Sequence, residues 1–531
     1  MEDYSAKNVK RAAQINIFGV SAGSSDKVLV DVVTPPVSRE NHQSHHLSMT
    51  HTSEEKAAIH GLMNPSAYTG LYGFHKYWGK KPIEPLRFLI LALTESNDLV
   101  VDPFVGSGAI AKETVNLGRR FIGGDVNPTA IRLTRFFLQP CTINQYTSAF
   151  EELERTLRHR IDSSYEVTSF GVASHLLWQN DDILSIWHRN EGKRVRKERP
   201  PTNADLELAL SYSSYKARTL RPLQLFQNGR INSFADISWN TLFSGRALRN
   251  IELLLNEIRR LDQPLRHAFE LTLTAAVGQM SKMVFAITSR GKTKGQISQR
   301  IEVGSWVIGY WRPEKHFEIN VWNCFESKAN KLIKSLDENT SSSPVLTSAH
   351  SVIAGNSAVC IEKMDATELV EDLPLDSIKL LITDPPHGDR IPYLELSEMW
   401  NAILDDESLY EKEVVVSNAK GRNKTQDSYN AVMNDFFSIA VDRIQNGGFL
   451  VLLFNSRRDG EWSAIRGITE NSKMNLLGCF PMEYSATSVV QDNRQGSMKT
   501  DYILVFAKSQ PAERAISLLK AIPGWRSGDM E

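Results

Sequence analysis

Cysteine is scarce: there are 4 in 531 residues, and Cys141, Cys324, Cys360 and Cys479 lie far apart with no CxxC pair. That spacing supports neither a disulfide framework nor a zinc-ligand pattern, so a reducing compartment and no metal are expected. Bulk charge of one sign is also missing, because 61 Lys and Arg against 62 Asp and Glu leave a formal net charge of −1. Contact with nucleic acid must then come from a local basic surface. No uninterrupted apolar run approaches the ~18 residues that cross a bilayer. The opening "MEDYSAKNVK" lacks the apolar core of a signal peptide. A cytoplasmic globular protein is expected, and 41% apolar with 23% charged residues is ordinary for one.

Large apolar residues in phase are also lacking over residues 1–65, which read as a flexible polar arm. His42, His45, His46 and His51 cluster there without a carboxylate or thiolate framework, so the cluster reads as polar chain rather than a metal site. From 66 to 140 the pattern turns α/β. "PIEPLRFLILAL" reads as a helix with Leu86, Ile90 and Leu93 on one face. "DLVVDPF" reads as a buried strand, "VGSGAIAKETVNLG" as a glycine turn opening a helix, and "RRFIGGDV" as a second strand followed by another helix. The rhythm stops over 141–349, where charged helices and short aromatic strands alternate with polar loops. It resumes over 350–510 with "SIKLLITDPP", a helix near 428–445, the strand "GGFLVLLFN" and two late strands near 474–484 and 501–507. The expected architecture is a Rossmann-like, doubly wound mixed sheet closed by a C-terminal antiparallel hairpin. A large, mostly helical insertion would split it, and residues 511–531 would form a tail.

In "DPFVGSG", Gly106 and Gly108 permit positive φ and let a ligand approach the backbone. The helix start behind them offers unpaired N–H groups. Asp125 ends the next strand, where an acid binds the hydroxyls of a ribose. The third glycine of a dinucleotide fingerprint is absent, and so is the Lys-Ser/Thr pair of a P-loop. A ligand with a ribose but no pyrophosphate fits best.

At "TDPPHGDRIPYLELSEMW" an apolar strand ends in an acid and two prolines, at the sheet edge where open α/β folds bind ligands. The segments "HKYWGKKPIEPLRFLI", "DPFVGSG", "RRFIGGDVNP" and "LLITDPPH" together resemble the amino-methylating DNA methyltransferases. These enzymes have the class I methyltransferase fold and use S-adenosyl-L-methionine to modify adenine N6 or cytosine N4. The resemblance implies that Lys81 and Pro82 sit beside the methionine carboxylate. Asp102, Phe104, Gly106 and Gly108 would line the amino acid and sulfonium, Asp125 would hold the ribose, and Asp365 would lie near the adenine. Asp365 also reads as a helix N-cap. Asp384, Pro385, Pro386 and His387 would form the catalytic tetrapeptide, with His387 where the family usually has an aromatic residue. An exocyclic amine is a poor nucleophile. If Asp384 and the Pro385 carbonyl each accept one amino hydrogen, the lone pair is aimed at the methyl group. The fourth residue would then offer a flat face to a base flipped from the duplex. His387 can fill that role, and Tyr393 can supply a fuller face.

Within the insertion, "WHRNEGKRVRKERPP" carries six Lys or Arg against two Glu, with Trp187 and His188 at its edge. Lys193, Arg194, Arg196 and Lys197 there are candidates for nucleic-acid contact, as are Lys292 and Lys294 in "TSRGKTKGQ" and Arg494 and Lys499 near the C-terminus. The expected partner is duplex DNA, with adenine N6 favoured over cytosine N4. A restriction or defence-system protein is a further candidate partner. Two other readings stay open. Gly388 also suits the "DPPxG" context of tRNA guanine-N2 methyltransferases, and the departure at His387 suits an inert DNA-binding homologue.

Overall fold

The computed structural model describes residues 53–63, 66–169, 171–189, 196–288, 292–293, 296–297, 301–339, 343–456, 459–470, 473–483 and 500–528. Its centre is an eight-stranded sheet. In chain order within that sheet the strands are β1 Leu99–Asp102, β2 Arg120–Gly124, β3 Val359–Glu362, β4 Ile378–Thr383, β5 Ile444–Phe454, β6 Met474–Glu483, β7 Thr500–Lys508 and β8 Arg526–Ser527. They lie side by side as β3-β2-β1-β4-β5-β7-β6-β8. The pairs among β3, β2, β1, β4 and β5 are parallel, and those joining β5, β7, β6 and β8 are antiparallel. This large, mainly parallel sheet fits a class I methyltransferase fold.

Parallel strands are covered on both faces, which is why they read as continuous apolar runs. In β4, Leu380 and Ile382 pack on one face with Leu86, Leu89 and Leu93 of helix α1 (Ile83–Leu93). Ile378 and Leu381 pack on the other with Phe436, Phe437 and Ala440 of the helix Gln426–Arg443. Each such Leu or Ile contributes about 1.5–3 kcal/mol by burial. From β1 the chain winds to β2 and β3 on one side, then returns to β4 on the other. The strand order therefore reverses between β1 and β4, and a crevice opens past their carboxyl ends, at Asp102 and Thr383.

Two expectations are corrected. Residues 53–63 are helical rather than part of a loose arm, and Ile59 is buried in the core under α1. Residues 513–520 and β8 belong to the sheet unit rather than to a tail, with Leu518 and Leu519 buried against the same face. Within the insertion, beside its helices, strands His175–Gln179, Asp182–Arg189, Arg196–Arg199 and Lys315–Ile319 form an antiparallel sheet of four.

The insertion shares its core with two helices that border the crevice, α2 (Pro128–Leu138) and α3 (Tyr393–Ile403), through Phe136, Phe137, Leu396, Met399 and Trp400. Buried acids on α3 bind it further. Glu398 accepts from the Gln224 N–H at 2.9 Å and pairs with Arg221 at 2.9 Å, while Glu395 accepts from Asn228 Nδ2 at 2.9 Å. The helix that follows residues 384–387 is thus fixed to the insertion by charge as well as by packing.

Candidate active site

The glycine turn is held by the acids on either side of it. Asp125 Oδ2 accepts from the Gly106 N–H at 3.0 Å and Oδ1 from the Asn127 N–H at 2.8 Å. Asp102 Oδ1 accepts from the Phe104 N–H at 3.0 Å and from the Thr383 hydroxyl at 2.6 Å, which ties the end of β1 to the end of β4. Burial pushes the Asp102 carboxyl up to about 7 and that of Asp125 up to about 6. Both glycines have positive φ, +49° at Gly106 and +78° at Gly108. Their reasons differ. A Cβ on Gly106 would meet nothing nearer than Tyr77 Cε1, at 3.4 Å, and the Phe104 carbonyl oxygen, at 3.8 Å, so this backbone stays approachable. A Cβ on Gly108 would lie 2.7 Å from Thr134 Oγ1 and 2.8 Å from Thr134 Cα. Gly108 therefore allows close packing against α2 rather than ligand access, and it does not line the crevice.

Beyond β4, Asp384 faces the same space. Lys81 Nζ lies 3.0 Å from Asp384 Oδ2 and 2.7 Å from Oδ2 of Asp501, a wholly buried residue at the start of β7. Asp501 Oδ1 accepts from Arg390 Nη1 at 2.9 Å. Burial opposes the charge on Asp501, but the cations of Lys81 and Arg390 hold its carboxyl well below the usual range. The Pro386 carbonyl accepts from the Tyr429 hydroxyl at 2.8 Å and the Gly388 N–H at 3.1 Å.

Lys81, Asp102, Phe104, Gly106, Asp125, Asp384, Pro386 and Tyr393 all line one cleft of about 850 Å³, part of it open to solvent. Tyr77, Trp78, Leu86, Ile110, Met364 and Val414 give it apolar walls. Tyr393 stacks on Tyr77 with ring centres 6.2 Å apart and planes inclined at 23°. Pro82, Pro385, His387 and Asp365 are not among the lining residues. Pro82 caps α1. Asp365 caps the helix Ala366–Glu371, accepting from Thr367 N–H at 2.9 Å and Glu368 N–H at 3.3 Å, while its neighbours Met364 and Ala366 reach the cleft. His387 does not offer a flat face. It is buried at 7% exposure, its ring lies edge-on to Phe454, and both its nitrogens are engaged.

The basic candidates fare differently. Arg196 stacks on Trp187 at 3.7 Å and donates to the Ile301 carbonyl at 2.8 Å, and Trp187 is core at 3% exposure. Neither residue forms an open stacking surface. Lys197 is exposed on the edge strand of the insertion's sheet, where charge also guards against edge pairing. Lys292 lies in a two-residue strand. Lys193, Arg194, Lys294, Arg494, Lys499 and the N-terminal histidines lie outside the described residues. The sequence reading missed Asp501 and also Arg230, which donates to the carbonyls of Asp389 and Arg390, just past the tetrapeptide.

Residues 23–136, which include the glycine turn and Asp125, match the sequence model described as DNA methylase. The match is to the amino-group DNA methyltransferase family. Over 64 residues the chain is 41% identical to the type II methyltransferase M2.DpnII of Streptococcus pneumoniae, covering 11% of this chain and 24% of that protein. It is also 41% identical over 64 residues to M1.MboII of Moraxella bovis, covering 12% and 25%, and 39% identical over 64 to M2.LlaDCHI of Lactococcus lactis subsp. cremoris, covering 11% and 24%. The matches span about a quarter of the length of these curated relatives. No described helix is long and apolar enough to cross a membrane.

Proposed function

We propose that this chain is a DNA methyltransferase that moves a methyl group from S-adenosyl-L-methionine to the exocyclic amine of a flipped base, adenine N6 in preference to cytosine N4. The supporting observation is a single cleft lined by Gly106 and Asp125 from one end of the chain and by Asp384 from the other. Its residues suit the cofactor. Each Asp125 oxygen is already oriented by a backbone N–H and keeps lone-pair capacity for a ribose hydroxyl. The apolar walls suit an adenine, and the open backbone at Gly106 leaves room for the amino-acid end. When bound, the cofactor supplies an electrophilic methyl on a sulfonium. Asp384, which lines the cleft, accepts one hydrogen of the target amine and so turns the nitrogen lone pair toward that methyl; the Pro385 carbonyl, expected to accept the other, is not among the lining residues. Catalysis is then positioning and electrostatics without a strong base. Tyr393 and Tyr77 form an aromatic wall beside Asp384 for the extruded base.

The relatives are named type II methyltransferases; a restriction or defence protein as partner and a cytoplasmic setting complete the proposal. A labelled-methyl transfer assay on duplex DNA, single-stranded DNA and tRNA, with nucleoside analysis, tests it. N6-methyladenine in DNA is the predicted product. Label confined to tRNA would replace the substrate, and cofactor binding without transfer to any of the three would leave an inert homologue.

A further inference from the structure

His387 occupies the place where the family's tetrapeptide usually carries an aromatic ring, yet it is turned away from the cleft. Its chemistry follows from its neighbours. Arg390 Nη1 lies 3.0 Å from His387 Nδ1, and a guanidinium only donates, so Nδ1 accepts. In a neutral imidazole the proton then sits on Nε2. That Nε2–H lies 3.1 Å from Asp384 Oδ1 and 3.0 Å from the Leu453 carbonyl. Arg390 is held in turn by Asp501 Oδ1 at 2.9 Å, and Asp501 Oδ2 accepts from Lys81, which also pairs with Asp384 Oδ2 at 3.0 Å. The five side chains close a ring of contacts that grips Asp384 by both oxygens.

Resting on the methyl-transfer reading above, we propose that His387 is a positioning residue. Through Arg390 and its Nε2–H it fixes the orientation of the Asp384 carboxylate, and Tyr393 rather than His387 is the aromatic face for the extruded base. The observations fit together. The side chain of Asp384 remains partly exposed to the cleft at 18% while that of His387 is 5% exposed, so only the acid can touch a substrate. Tyr393 lines the cleft with Asp384, and its ring is braced by Tyr77. A carboxylate held at both oxygens cannot rotate, and a misplacement of about 1 Å in such a group costs on the order of 100-fold in rate.

The test compares His387→Leu, His387→Gln, His387→Tyr and Tyr393→Ala with the wild-type chain. It measures single-turnover methyl transfer, cofactor Kd, DNA Kd, and the fluorescence of 2-aminopurine at the target position as a report of base extrusion. His387→Leu and His387→Tyr are expected to lose about 100-fold in transfer rate, with cofactor and DNA affinities and the extrusion signal kept within about threefold. His387→Gln can still donate to Asp384 and accept from Arg390, so it should stay within about tenfold of wild type. Tyr393→Ala should weaken DNA binding and extrusion instead. Cofactor affinity is the folding control; should His387→Leu fail it, His387→Gln against His387→Tyr decides. Transfer by His387→Tyr at or above the wild-type rate, or loss of extrusion in His387→Leu, would overturn the assignment while leaving methyl transfer standing. A wild-type chain that methylates nothing would overturn both.

Discussion

Asp501→Asn removes one negative charge from a fully buried position while keeping the side-chain volume. Asp501 is 2.7 Å from Lys81, itself 8% exposed, and 2.9 Å from Arg390, 24% exposed. Removing one member of a buried pair typically costs about 3–5 kcal/mol, because the partner is left desolvated. Arg390 reaches water and Lys81 keeps Asp384, so the low end applies: about 3 kcal/mol. The assay is urea unfolding followed by tryptophan fluorescence on wild type, Asp501→Asn, Lys81→Met and the double variant. The double-mutant cycle should give a coupling of about 1.5–3 kcal/mol. The pH dependence has a fixed sign. The Asp501 carboxyl is held well below its usual value in the folded state, so its contribution is fully present above the unfolded value of about 3.9 and disappears as pH falls through the folded value. The gap between wild type and Asp501→Asn should be constant from pH 5 to 8, within the ~1 pH unit margin of that linkage, and narrow only below about pH 4. A cost under about 1 kcal/mol, or additive single variants, would refute the claim that this ion pair joins the two segments of the sheet unit.

Gly108→Ala should cost about 2–4 kcal/mol, from left-handed strain plus the collision with Thr134, and lower the unfolding midpoint without changing cofactor affinity per folded molecule. Gly106→Ala, whose Cβ meets little, should cost about 1–2 kcal/mol but weaken cofactor binding, as titration calorimetry can resolve. Burial raises the Asp125 carboxyl to about 6, so cofactor affinity should be flat above that pH and fall about tenfold per unit below it as the acceptor becomes protonated. Asp125→Asn should bind weakly with no such slope.

The strands β1 and β4 were legible because strands buried on both faces are largely apolar, and an acid closes β1 at Asp102 and follows β4 at Asp384. The cleft residues Gly106, Asp125 and Asp384 were legible for a related reason: a positive φ and strand-end acids leave local marks. What the sequence hid is long-range pairing. Lys81 and Asp501 are 420 residues apart, and nothing near "KTDYILVFAK" marks that acid as the partner of "KKP". Distance also hid the role of His387: the Leu453 carbonyl, 66 residues on, helps turn it from a stacking ring into a hydrogen-bond donor, while Arg390 lies only three residues away. Gly108 gave the signal of a ligand turn, yet Thr134 on α2 is the reason it must be glycine. Arg196 and Trp187 read as nucleic-acid contacts in a basic run, but strand pairing folds them onto each other.

The central claim is that Asp384 receives the target amine in a cleft whose cofactor-binding side does not depend on it. Asp384→Ala leaves Lys81 paired with Asp501, so the fold and the cofactor side should stand. Single-turnover transfer of labelled methyl to duplex DNA, measured beside cofactor Kd, tests this directly. The account predicts a loss of about 10²–10³-fold or more in rate with cofactor affinity unchanged. Turnover equal to wild type, or cofactor binding lost along with activity, would contradict it.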